Sequence, residues 1–142
     1  MIQFTSKNPH QTISLGKAIG CALKSNDVLA LYGELGAGKT TLVQGLAQGL
    51  GIKELTPSPS FVIINEYNGK LPLFHVDLYR LHEGHEVQDL GIEEYFEKNG
   101  VTVIEWGERA ENILPSNIIR IELETIDENS RKILIKAKDI GR

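Results

Sequence analysis

With one cysteine, one tryptophan and five prolines in 142 residues, the chain is excluded from several protein classes. Cys21 has no partner for an internal disulfide, and its place in a predicted helix marks it as a small buried residue rather than a reactive thiol. No apolar run approaches the roughly 18 residues of a membrane span, and Met1-Ile2-Gln3-Phe4-Thr5-Ser6-Lys7 has no signal-peptide core, so the expectation is a cytoplasmic protein with no membrane. Basic clusters are missing too. Fifteen lysines and arginines stand against 19 acids, for a net charge of −4, which gives the chain no electrostatic means of holding nucleic acid alone. No repeat or low-complexity tract occurs, and 41% hydrophobic with 24% charged residues is ordinary globular usage, so one domain over 1–142 is predicted.

What is present begins with Gly33-Glu34-Leu35-Gly36-Ala37-Gly38-Lys39-Thr40, a match to the phosphate-binding P-loop pattern. Glycines let the backbone wrap closely, so that N–H groups of Glu34, Leu35, Gly36, Ala37, Gly38, Lys39, Thr40 and Thr41 can surround phosphate oxygens. Lys39 is the mobile cation for the β- and γ-phosphates, and the Thr40 hydroxyl a ligand for Mg²⁺. The context fits. Val28-Leu29-Ala30-Leu31-Tyr32 reads as a buried strand, and Leu42, Val43, Leu46 and Leu50 follow at helical spacing.

Around this core the chain reads as a mixed α/β unit. Residues 2–5 suit a short strand, and Asn8-Pro9 caps a helix with Leu15, Ala18, Ile19, Ala22 and Leu23 as its apolar stripe. Thr56-Pro57-Ser58-Pro59-Ser60-Phe61 excludes helix; its hydroxyls, Ser60 first, are candidates to sense a γ-phosphate or Mg²⁺, or the segment is merely a turn leading into the next strand. Strands over 61–67 and 71–77 flank Asn68-Gly69, a hairpin signal, with Pro72 suggesting an edge or strand start. After Pro115, Ile119, Ile121 and Leu123 and then Ile133, Ile135 and Ala137 alternate with charged residues, predicting a closing hairpin with one wet face.

Two carboxylates end two apolar strands. Asp77 is assigned to Mg²⁺ and Glu105 to water activation or metal support, an assignment that can be exchanged. Lys39, Asp77 and Glu105 are thus the candidate catalytic set, and Thr40, Asp77 and Glu105 the candidate metal ligands. Arg80 can reach a phosphate, with Arg109 a weaker candidate; an ion pair with local acids suits either equally. Trp106 is either core or a cover for the site or for a partner surface. His82-Glu83-Gly84-His85 lacks metal-ligand spacing.

On Gly33 to Thr40, Ser58-Pro59-Ser60-Phe61, His75-Val76-Asp77-Leu78-Tyr79-Arg80 and Glu105-Trp106, the sequence resembles the TsaE (YjeE) family, the small P-loop ATPase of bacterial tRNA threonylcarbamoyladenosine (t6A) biosynthesis. The family usually carries threonine where this chain has Ser60, which keeps the hydroxyl. The resemblance implies a P-loop NTPase-like three-layer α/β domain, its mixed parallel and antiparallel sheet flanked by helices. It also implies ATP and Mg²⁺ as cofactors, with Trp106 near the nucleotide, and hydrolysis that is weak in isolation. TsaD and TsaB are the implied partners, tRNA being met only through that complex. The competing readings are a small-molecule kinase, for which no lid insertion is seen, and a nucleotide-binding adaptor that does not hydrolyse. A GTPase is weaker still, because Ala137-Lys138-Asp139 lacks the guanine-reading pattern.

Overall fold

A computed structural model of the chain describes residues 1–34, 36–53, 64–79 and 90–137. Seven strands form one sheet in the order β1-β7-β6-β2-β5-β4-β3. They are β1 (Ile2–Ser6), β2 (Val28–Tyr32), β3 (Ile64–Tyr67), β4 (Leu73–Asp77), β5 (Val101–Glu105), β6 (Ile119–Thr125) and β7 (Arg131–Ala137), with helices α1 (Pro9–Ala22) and α2 (Lys39–Gly49). β2 pairs in parallel with β5 and β6, and β4 with β5; the pairs β1–β7, β6–β7 and β3–β4 are antiparallel. The expected mixed α/β sheet is therefore present.

Local chemistry explains most boundaries. Asn8 starts α1 by accepting the Gln11 N–H on Oδ1 at 2.9 Å, with Pro9 next in the first turn, where no N–H is needed. β2 and β5 are buried along almost their whole length and mostly apolar because they are covered on both faces, whereas β6 and β7 alternate. The β3–β4 hairpin forms as expected, although its connection takes residues 68–72 rather than Asn68-Gly69 alone. Gly69 is held against α2's end, where a Cβ would lie 2.5 Å from the Leu50 carbonyl oxygen, and Pro72 stays outside β4, its carbonyl accepting from Val101 N–H at 2.8 Å.

One sheet face carries Leu29, Leu31, Val101, Val103, Ile121 and Ile133 under α1 and α2. The opposite face packs Val28, Val76 and Ile104 against Ile92, Ala110 and Ile113, from short 3₁₀ turns at Ile92–Glu97 and Gly107–Arg109 and the chain that follows. The predicted apolar stripe of α1 needs correction. Ala18 and Ala22 are exposed, Leu15, Ile19 and Leu23 pack only partly, and the buried face is Thr12, Gly16 and Gly20. Those glycines meet Gly45 and Gly49 of α2 so closely that a Cβ on Gly45 would lie 2.2 Å from the Ile13 carbonyl oxygen. Cys21 is likewise exposed, not buried, because it lies off this glycine face. Among the described residues no helix is long and apolar enough to cross a membrane.

Candidate functional site

β2 hands the chain to the glycine loop and α2 begins at Lys39, the strand, loop and helix order the motif requires. Gly36 and Gly38 take φ values of 84° and 98°, where a Cβ is strained. The Ala37 N–H closes the loop on the Glu34 carbonyl at 3.0 Å, and the Leu42 N–H reaches Gly38 O at 2.9 Å. The amides of Lys39, Thr40 and Thr41 belong to the first turn, which has no acceptors within the helix and carries the positive end of its dipole.

Lys39 is 5% exposed, its ammonium donating to the Gly33 carbonyl and lying 3.4 Å from the centre of the Trp106 ring. Burial lowers its pKa below the usual lysine value, opposed by the negative charges of Glu108, Glu105 and Asp77. Trp106 reaches this position through a left-handed backbone, φ 63° and ψ 50°, directly after β5. Its ring also packs on Tyr79 with centroids 5.2 Å apart and under the Arg109 guanidinium at 5.1 Å. Among the described residues Arg109 takes no acidic partner. Its guanidinium instead donates to the carbonyls of Leu78, at 2.9 Å, and Tyr79, fixing the turn after Asp77.

Parallel register sets the two acids side by side. Asp77 is aligned with Glu105 and Glu105 with Leu31, so both carboxylates leave the sheet on the face covered by α2. They differ in surroundings: Asp77 is exposed and accepts the Tyr79 N–H at 3.0 Å, whereas Glu105 is 4% exposed with Oε2 2.6 Å from His75 Nε2. His75 is a site residue that sequence reading passed over. So is Arg131, which donates to Gly36 O at 3.1 Å and to the carbonyls of Asp127 and Ser130 at 2.9 Å. Its Nε is buried with no hydrogen-bond partner among the described residues, an orphaned donor beside the loop.

Of the other sequence candidates, Glu34, Gly36, Ala37, Gly38, Thr40 and Thr41 line the loop and first helical turn, with Thr40 exposed. Leu35, Ser60 and Arg80 lie outside the described residues, as do residues 54–63 and the His82-Glu83-Gly84-His85 stretch. The donor set suits a nucleotide phosphate with Mg²⁺. The loop presents backbone amides and a lysine to an anion, and Thr40, Asp77 and Glu105 offer the oxygen ligands a hard cation takes. Among the described residues no three His, Cys, Asp or Glu side chains converge, so no closed metal cage is formed by them.

The family model of the "Threonylcarbamoyl adenosine biosynthesis protein TsaE" matches residues 6–133. The chain belongs to the TsaE family. A tRNA threonylcarbamoyladenosine biosynthesis protein TsaE of Bacillus subtilis is 42% identical over 137 residues, 96% of this chain and 85% of that one. The TsaE of a Nostoc strain is 48% identical over 126 residues, 85% and 76% of the two chains. The crystal structure of B. subtilis YdiB superposes with a TM-score of 0.82 at 38% identity, covering 96% of this chain and 84% of that one. TsaE membership and the YdiB likeness agree with the sheet and helices described above.

Proposed function

We propose that this chain is a Mg²⁺-dependent ATPase that acts with TsaD and TsaB in tRNA t6A modification. The observation that carries the reading is the convergence on one sheet face of buried Lys39 at the α2 N-terminus with Asp77 and Glu105 at two adjacent strand ends. Lys39 and the first-turn amides bind and orient the phosphates, while Thr40 and Asp77, open to solvent, hold the metal. Mg²⁺, when bound, supplies charge neutralisation at the phosphoryl oxygens. Glu105, buried and held by His75, orients water or supports the metal. Lys39 leaves the Gly33 carbonyl and the Trp106 ring to meet phosphate, so the resting contacts compete with the nucleotide. Participation in t6A formation is supported by the family model and by the names of the TsaE relatives.

The test is phosphate release from Mg²⁺-ATP by the chain alone and with purified TsaD and TsaB, with Lys39→Ala as the blank. A slow basal rate, raised by the partners and absent in Lys39→Ala, is expected. Nucleotide binding without turnover in the full assembly would replace hydrolysis by an adaptor role, and a phosphorylated small molecule without free phosphate would replace it by a kinase.

A further inference from the structure

We infer that His75 is the positioning residue for Glu105. Glu105 is the only acid among the buried polar and charged side chains of the described residues, on a strand otherwise made of Val101, Thr102, Val103 and Ile104. A buried carboxylate without a donor either loses its charge or destabilises the fold. His75 comes from the neighbouring strand β4, aligned with Val103, and its imidazole reaches two positions along the ladder, on the same face, to Glu105 Oε2 at 2.6 Å. A carboxylate oxygen is an acceptor, so it is the Nε2–H tautomer of His75 that makes this contact a hydrogen bond. The side chains of both partners are largely covered, 16% exposed for His75 and 5% for Glu105, so water competes weakly for the bond.

The placement is economical. His75 stands two residues before Asp77 on the same strand face, so β4 supplies both the open acid and the donor that fixes the buried one. Holding Oε2 restricts rotation of the carboxylate, leaving the second oxygen to be directed at a water or at the metal shell. This deepens the ATPase reading and rests on it for its kinetic consequence. It also explains a polar residue in a strand whose neighbours Leu73, Phe74 and Val76 are buried and apolar.

The experiment compares His75→Phe, which keeps an apolar ring and removes the donor, with His75→Gln, whose amide can restore one. Outer-shell partners of this kind typically change activity by about 10- to 100-fold. The expected result is a kcat for ATP hydrolysis about tenfold or more lower in His75→Phe, with ADP affinity unchanged within about threefold, and substantial recovery in His75→Gln. In a Glu105→Ala background, His75→Phe should add no further loss. Equal losses in both His75 variants, a loss confined to nucleotide affinity, or a full additional loss without Glu105 would overturn the inference. A second readout needs no turnover: a hydrogen-bonded His75 Nε2 proton observed by NMR in the native chain and lost in Glu105→Ala. Its absence from the native chain, or its persistence without Glu105, would overturn the inference even where ATP is not hydrolysed. If that proton behaves as expected but the native chain and its TsaD/TsaB assembly release no phosphate, the ATPase reading fails and the positioning of Glu105 stands.

Discussion

Replacing Gly45 with alanine should destabilise the protein even though alanine is the better helix former. Gly45 lies inside α2, where the exchange gains about 1 kcal/mol in intrinsic propensity. Opposing this, the new Cβ would meet the Ile13 carbonyl oxygen at 2.2 Å, Gly16 Cα at 2.9 Å and the Ile13 carbonyl carbon at 3.0 Å. All three are backbone atoms of α1, which no rotamer change can move. Restoring ordinary contact requires the helices to separate by about 1 Å, loosening the Leu42, Leu46 and Leu15 packing on either side. Overpacking in such places costs typically about 1–3 kcal/mol, and rigid backbone neighbours put this case at or beyond the upper end, leaving a net loss of about 2 kcal/mol. For a chain of this size that corresponds to a fall of roughly 6–8 °C in Tm. Urea unfolding of Gly45→Ala beside Gln44→Ala, an exposed position on the same helix, measures it; the control should stay within about 0.5 kcal/mol of the native chain. Stability equal to or above the native value in Gly45→Ala would show that the helices are not locked by glycine contact.

Glu105→Gln is expected to reduce ATP turnover by about 100-fold or more while ADP affinity stays within about threefold, whereas Asp77→Asn should raise the Mg²⁺ concentration needed for half-maximal rate; steady-state titrations of ATP and Mg²⁺ separate the two. Arg131→Ala removes the support of the Gly36 carbonyl and should weaken ADP binding about tenfold, or about 1.4 kcal/mol, read by calorimetry. Asp127 accepts the Asn129 and Ser130 N–H groups at 3.0 and 2.9 Å, which holds its pKa below the ordinary 3.8. A folded-state pKa below the unfolded one means that the unfolded chain binds more protons on acidification, so this contribution is present above about pH 4 and fades as pH falls through the folded value. Asp127→Ala should therefore lower Tm at pH 7, and the difference from the native chain should shrink toward pH 2; a difference constant with pH would contradict the assignment.

The features legible in the sequence are those encoded by neighbours. Asn8-Pro9 announces α1, Gly33 to Thr40 announces the loop, and the alternation around Ile121 and Ile133 announces the final hairpin, because each signal lies within a few residues of the structure it makes. Asp77 and Glu105 were found as strand ends, and only the parallel register of β4, β5 and β2 brings them level. The features that escaped detection depend on distance or on what hydropathy ignores. Glycine has no side chain to count, so periodicity assigned α1's apolar stripe to Leu15, Ala18, Ile19, Ala22 and Leu23, of which only Leu15, Ile19 and Leu23 pack in part, while the close helix contact belongs to Gly16 and Gly20. His75 passed unnoticed as a site residue because its partner is 30 residues away, and Arg131 because Gly36 is 95 away. The left-handed backbone of Trp106, which turns the indole over Lys39, has no counterpart in residue preference, since tryptophan does not favour it.

That indole is the only one in the chain, and it sits 3.4 Å from the ammonium whose position decides whether phosphate can be held. The protein thus contains its own optical probe. Ultraviolet emission from the unlabelled chain comes chiefly from a single fluorophore with a lysine against its face, so departure of Lys39 changes the local field and quenching without any background from other tryptophans. Stopped-flow mixing with nucleotide can time that departure directly, and the same signal followed while partner proteins are added distinguishes an assembly that leaves the lysine parked from one that releases it.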